Sequence, residues 1–366
     1  MLLKNKLTDY VEIYYTDFGM CINIKVLQVL FGDAIVIKFK GNDGIYHNIF
    51  VDGGFSSTYV RTIGRETRKI VERGERIDLF IITHIDQDHI GGVLNYLREN
   101  GEKNLVDEYW FNWSDNRVVQ MLPNNCKISY SQGITLREFL KKNGEINSGI
   151  IHDGLEPFNI FGAKITILSP DLEDIHYFKK KWTTAEHQIQ QKKRIASAQD
   201  DYCASIENLS KKTFIEDTRI ENRVGIAFLF EYNGKAILLL ADSHPSTIER
   251  ALKKRGFSKF NKLRVDMIKL SHHTSRFNTS PELLELLECN SFIISANGKN
   301  RHFLPHKETL SRILVNPGRN RNQEVSFIFN YDNPVIRSIF EESDFSSYNF
   351  NCFYPKGNEN GYLIKL

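Results

Sequence analysis

Between Thr83 and Gly92 the sequence reads T-H-I-D-Q-D-H-I-G-G, which gathers His84, Asp86, Asp88 and His89 into six residues. Two imidazoles and two carboxylates so close together can ligate metal. On a loop leaving a strand, side chains at i and i+2 can converge on one ion while those at i+4 and i+5 turn to a second. Gly91-Gly92 lets the backbone turn closely into a helix beneath the metals. A plain polar loop would give no reason to collect these four groups. Further along stand Asp242 at the end of Leu239-Leu240-Ala241, His272-His273 after the apolar run Val265–Leu270, and His302 and His306 around Pro305.

The elements needed to position these residues are legible as hydrophobic patterns. Ile22, Ile24 and Val26 alternate with polar residues, and Ala34–Ile37 continues an apolar strand, so Gly32-Asp33 reads as a tight turn between two strands. Tyr46–Val51 predicts a third strand, leaving through Asp52-Gly53-Gly54. Residues 65–75 read as a charged helix, 77–83 as a buried strand and 90–99 as the next helix. The second half repeats the scheme: strands at 223–232 and 235–240 turn at Asn233-Gly234, a helix follows at 247–255, and a buried strand at 265–270. A helix at 281–287 and a strand at 291–295 complete it. Ionisable groups thus recur at the C-terminal ends of apolar strands, the edge on which α/β proteins build sites.

Between the halves, Tyr109–Trp113 is an aromatic strand and Ile165–Leu168 another. Residues 176–214 form a polar stretch of helical character rich in lysine, among them Lys179, Lys180, Lys181, Lys192, Lys193, Lys211 and Lys212, with Arg194. It reads as a solvated insertion, or as a basic rim that guides a polyanion. A net charge of +3 permits a nucleic-acid partner without demanding one. Residues 1–20 lack the apolar core of a signal peptide, and no run is long enough to span a membrane. Five scattered cysteines, none in a C-x-x-C pair, fit a reducing cytoplasm better than a disulfide framework or a thiolate zinc site. His47, His152, His176, His187 and His244 read as surface or core residues.

The cluster resembles the H-x-H-x-D-H motif of the metallo-β-lactamase superfamily, with Asp86 in place of the second histidine. The variant H-x-D-x-D-H is similar to the C-terminal hydrolase domain of the competence protein ComEC and its free-standing relatives. Val26–Ala34 resembles that group's opening L-D-V-G-Q-G-D-A, and Val51–Gly54 its D-x-G-G turn. Leu239–Asp242 resembles the strand ending in a metal-bridging aspartate, Ser271–Ser275 the H-H-G-S segment, and Ile293–Ser295 through His306 the last strand and H-P loop. The likeness spans residues 21–93 and 220–315 in the correct order.

The resemblance implies a four-layer αββα metallo-β-lactamase sandwich of α/β class, one domain, with a helical and aromatic insertion within 95–221 and a C-terminal aromatic extension at 330–366. It implies His84 and Asp86 at a first metal, Asp88 and His89 at a second, and Asp242 bridging both, with Asp88 also near the attacking water. Asn222 falls where many relatives place a first-metal histidine. His306, or His302, would close the second site. His272 and His273 would supply one ligand or proton donor and one supporting hydrogen bond. Oxygen-rich ligation favours Mn²⁺, with Zn²⁺ or Mg²⁺ as alternatives. The implied activity is hydrolysis of phosphodiesters in DNA by metal-activated water. The alternatives are a small-molecule hydrolase (ester, lactone, thioester or cyclic nucleotide), which a closed aromatic pocket from Tyr109–Trp113 would favour, or an effector subunit of a defence or DNA-uptake complex. No membrane partner is implied.

Overall fold

The computed structural model describes residues 22–103, 105–113, 124–143, 149–183, 200–357 and 359–366. Residues 1–20 and the centre of the basic insertion, with His187, Lys192, Lys193 and Arg194, lie outside them. The strands are β1 (Asn23–Leu27), β2 (Ile35–Lys40), β3 (Tyr46–Val51), β4 (Ile77–Ile81), β5 (Val106–Trp110), β6 (Phe158–Ile160), β7 (Ala163–Ser169) and β8 (Ala227–Tyr232). There follow β9 (Lys235–Leu239), β10 (Leu263–Arg264), β11 (Met267–Lys269), β12 (Leu287–Glu288), β13 (Ser291–Ile294), β14 (Val325–Phe329), β15 (Phe350–Phe353) and β16 (Gly361–Lys365).

One sheet runs β16-β1-β2-β3-β4-β5 and the other β15-β14-β13-β11-β9-β8-β7-β6, with β10 and β12 as a separate parallel pair. Each large sheet is antiparallel at one end and parallel at the other. The parallel strands are the short apolar runs, because helices cover one face and the partner sheet the other.

Three apolar clusters give the layer order. Ile24, Ile37, Ile49 and Leu79 of the first sheet pack with Ile165, Phe228, Phe230 and Ile237 of the second. Outside the first sheet, Phe50 and Phe80 meet Ile63, Ile70, Ile90, Val93 and Leu97 from the helices Ile63–Glu72 and Gln87–Asn100. Outside the second, Leu238, Ile268 and Phe327 meet Ile248, Leu252, Leu283, Leu310 and Leu314 from the helices Pro245–Lys254, Pro281–Glu285 and Lys307–Val315. Helix, sheet, sheet, helix is the four-layer αββα sandwich. The hairpin at Asn233-Gly234 forms as expected, with φ of 49° and 73°. Among the described residues no helix is long and apolar enough to cross a membrane.

Several sequence expectations change. Residues 28–34 are a seven-residue loop, not a tight turn, and Asp33 is buried within it. Tyr109, Trp110 and Phe111 are core residues rather than pocket lining. The strand expected at 223–232 begins only at Ala227, because Ile220–Arg223 is a short helix. In the C-terminal stretch β15 joins the second sheet beside β14, and β16 closes the edge of the first against β1. Edge strands need such a cover to avoid intermolecular pairing.

The double glycine has a steric role. A Cβ on Gly92 would stand 2.0 Å from the Gly53 carbonyl oxygen, and one on Gly91 2.6 Å from the Ser56 nitrogen. Both neighbours are backbone and cannot yield cheaply. Gly92→Ala is therefore expected to lower stability by roughly 1–3 kcal/mol or more, as overpacking does. Gly149→Ala, with open space at its Cβ, should stay within about 0.5 kcal/mol of wild type. Urea unfolding midpoints measure both.

Candidate metal centre

Four imidazoles converge on one carboxylate. His84 Nε2 and His272 Nε2 lie 3.7 and 3.6 Å from Asp242 Oδ2, while His89 Nε2 and His273 Nε2 lie 3.4 and 3.6 Å from Asp242 Oδ1. Asp88 joins the second group, its Oδ2 3.4 Å from His273 Nε2. Asp242 thus divides the site into two halves, one facing each of its oxygens.

The backbone brings this about at strand ends. Asp242 follows β9 after Ala241, whose φ is 46°, and His272, His273 and Thr274 follow β11 with φ of 48°, 53° and 71°. Non-glycine residues in this left-handed region cost about 1–3 kcal/mol each and persist where their surroundings over-determine them. The turn serves the site by aiming two consecutive imidazoles at the same carboxylate. Asp88 and His89 stand in the first turn of the helix Gln87–Asn100, whose N-cap is Asp86.

Each imidazole is oriented through its other nitrogen. His89 Nδ1 donates to Asp52 Oδ2 at 2.7 Å, and the same aspartate accepts from the Thr83 N–H and hydroxyl at 2.8 and 2.7 Å. His84 Nδ1 lies 3.0 Å from Thr83 Oγ1, and His272 Nδ1 lies 3.0 Å from Asn278 Oδ1 and 3.4 Å from Asp217 Oδ2. His273 Nδ1 faces Asp33 Oδ1 at 3.3 Å, and Asp33 in turn is ion-paired with the buried Lys269 on β11. With its Nδ1 held by Asp52, His89 keeps Nε2 turned to the centre, the usual arrangement behind metal-binding histidines.

Asp33, His89, Asp242 and His273 form a buried group close enough to share an ion. Lys269 pairs with Asp33 through Oδ2, while Asp33 Oδ1, buried without a hydrogen bond, faces His273 Nδ1. The Asp52 and Asp33 roles were missed in the sequence because a turn dipeptide explained each residue. The signal was an aspartate directly preceding or following glycine at a strand end, repeated twice.

The groups without partners test the fit to metal. His84 Nε2, Asp242 Oδ1, Asp86 Oδ1 and Asn222 Oδ1 are buried with no hydrogen bond. Burial opposes charge on His272, yet Asp242 and Asp217 outweigh it and push its imidazole up to about 9. Asp242 and its neighbours likewise raise His89 and His273 against the cost of burial. Burial dominates at His84 and lowers it. The carboxylates therefore demand positive charge here, and divalent ions satisfy that demand as well as protons do. The residues present fit divalent metal.

The remaining sequence candidates sit around this centre. Asp86 is ion-paired at 2.7 Å with Arg219, a half-exposed side chain at the mouth. Asn222, on the short helix Ile220–Arg223, donates to Asp217 at 2.7 Å and stands 3.3 Å from His272 Nδ1. His306 accepts from the Arg276 N–H through Nδ1, and its own N–H donates to the Thr274 carbonyl. Burial and Arg276 push it down to about 3, so it is neutral. It braces the left-handed turn, and among the described contacts it touches neither Asp88, His89 nor Asp242. The second imidazole on the Asp88 side comes from His273 instead. His302 is exposed against Phe31. His244 is buried behind His272, 3.8 Å from Asp217.

No known family profile matches the chain. It is 20% identical over 302 residues to ComE operon protein 3 of Bacillus subtilis, covering 78% of this chain and 30% of that relative's length. Solved structures similar to it include the metallo-β-lactamase fold protein YhfI from Bacillus subtilis, 10% identical with a TM-score of 0.43, covering 95% of this chain and 100% of that one. Zn²⁺-bound PqqB from Methylobacterium extorquens is 10% identical with a TM-score of 0.37, covering 90% and 87%.

Ions that bind only the folded state stabilise it by about 2.7 kcal/mol at a hundred times their Kd. Added Zn²⁺ or Mn²⁺ should therefore raise the melting temperature of the wild type and leave Asp242→Asn nearly unmoved. Asp33→Asn and Lys269→Met should each weaken metal affinity by about 10–100-fold, as loss of a ligand-orienting partner does. A chelator competition measures that loss without reference to any substrate. The αββα layer order and this buried His/Asp centre agree with the metallo-β-lactamase fold that the motifs resemble, with a site suited to divalent metal.

Proposed function

We propose that the protein is a metal-dependent hydrolase of phosphodiester bonds in nucleic acid, with DNA as the first substrate to test. The observation carrying this reading is the division of four imidazoles, two by two, between the oxygens of Asp242. A pair of divalent ions held there would acidify a water and neutralise charge developing on phosphate oxygens. Four imidazoles with Asp88 and Asp242 make a more nitrogen-rich donor set than the sequence motif alone offered, which moves the expectation from Mn²⁺ towards Zn²⁺ even with Asp86 Oδ1 and Asn222 Oδ1 unpaired.

The chain's own groups supply the rest. Asp88 is more exposed than the carboxylates of Asp33, Asp52 and Asp242, so it can orient a water and accept its proton. The Arg219 guanidinium uses one nitrogen for Asp86 at 2.7 Å and approaches Glu221 only at 3.9 Å. Its remaining donors suit a non-bridging phosphate oxygen. His272, partly exposed beside it, stands on the same open side. The burial of Tyr109–Phe111 removes the aromatic pocket that would have favoured a small ester or lactone.

Cleavage of single- and double-stranded DNA should appear with Zn²⁺ or Mn²⁺ and fall by about 10²–10⁴-fold in Asp88→Ala, the usual contribution of a proton-transfer group. Wild-type activity indistinguishable from that variant would overturn the reading. Arg219→Ala should raise KM by about 10–100-fold, the scale of one charged hydrogen bond, with a smaller change in kcat.

A further inference from the structure

The loop Gln28–Asp33 ends in the metal centre at Asp33 and begins at a groove of about 540 Å³. Gln28, Arg61, Arg65, Tyr331, Asn333 and Asn360 line that groove. Arg61 and Arg65 are exposed and form no ion pair among the described residues. Of the acids there, Asp332 is neutralised by Arg337 through contacts of 2.5 and 2.8 Å, which leaves Glu359 against two arginines. The Asn360 side-chain nitrogen is buried without a hydrogen-bond partner. A groove with surplus guanidinium charge and an unmatched amide donor is built for an anion.

The path from this groove to the metals is aromatic. The Leu30 N–H donates to the Tyr331 hydroxyl at 2.7 Å, which ties the loop to the groove wall. Phe31 comes next, half-buried, with Phe55 edge-on at 4.9 Å and the exposed His302 at 5.7 Å. Gly32 follows, pressed so tightly on Asp88 that a Cβ would stand 2.1 Å from its carbonyl oxygen. Six residues reach at most about 20 Å, so Gln28 at the groove and Asp33 at the centre stand no further apart than that, with Phe31 between them in the chain.

We infer that this track binds single-stranded nucleic acid, its phosphates held by Arg61 and Arg65 and a base stacked at Phe31 and Phe55 before the scissile phosphate reaches the metal centre. The inference rests on the phosphodiesterase reading and narrows its substrate. Alternating charge and ring contacts are what an unpaired strand offers, since each phosphate is followed by an open base face. A duplex keeps its bases stacked inside and presents only the phosphates.

Fluorescence anisotropy of a labelled oligothymidylate on the full-length Asp88→Asn protein tests this. Arg61→Gln with Arg65→Gln should weaken binding by about ten-fold and reduce the slope of log affinity against log salt by about 1.4, the loss of two single-strand phosphate contacts. Phe31→Ala should weaken binding by about five-fold or more and leave the salt slope unchanged. An unchanged slope in the double arginine variant, or equal affinity for a duplex of matching length, overturns the inference. Circular dichroism on each variant confirms that the fold persists. Turnover of bis(p-nitrophenyl) phosphate by the wild type is measured in parallel. Its absence would count against the hydrolase reading itself, whereas turnover with salt-insensitive oligonucleotide binding would count against the groove alone.

Discussion

The structure turns on a charge imbalance at its centre. Asp33, Asp52, Asp86, Asp88, Asp217 and Asp242 crowd around the imidazoles, with Lys269 and Arg219 as the permanent cations that contact them. These carboxylates outnumber the two cations, so the centre carries an excess of negative charge that needs positive charge to offset it. Buried charge without a counter-charge is too costly to keep. The protein therefore holds either protons, as the raised His89, His272 and His273 indicate, or metal. Metal affinity and folding stability are linked through this one demand.

Backbone strain is the other side of the same arrangement. Asp52, Ala241 and the three residues His272–Thr274 all adopt left-handed φ values at strand ends. An ordinary exit from β11 would send successive side chains to opposite faces. The left-handed turn instead sets His272 and His273 on the two oxygens of Asp242. His306 from beneath, through Thr274, and Asn278 from the side hold that turn in place. His306, expected as a ligand, thus braces the loop that carries His272 and His273.

The loop Gln28–Asp33 shows how one segment can serve both ligand geometry and substrate access. Asp33 faces the His273 ring, Gly32 fits beneath Asp88, and the half-buried Phe31 packs edge-on to Phe55. The same loop is anchored across the sandwich by Gln28 and Leu30 to Asn330 and Tyr331. Changes in that anchor should be felt at the His/Asp centre, because the intervening residues leave little slack.

By itself the sequence determined the local rules: most of the strands, the hairpin turn at Asn233-Gly234, and that His84, Asp86, Asp88 and His89 lie where a strand passes into a helix. Those features depend on neighbours a few residues away, so spacing encodes them. It also marked Asp242 and His272-His273 as strand-end residues. Tertiary structure decided which oxygen of Asp242 each imidazole faces, because that depends on how β4, β9 and β11 stack across two sheets. It also decided that Asp86 pairs with Arg219, that Asn222 turns its amide to Asp217, and that His306 braces a turn. Asp33 and Lys269 are 236 residues apart, and no local pattern links them. Their pairing exists only because burying either charge alone would be unfavourable. The ten residues from Thr83 to Gly92 supply one wall of the site, and the fold supplies the partners that give each ligand its direction.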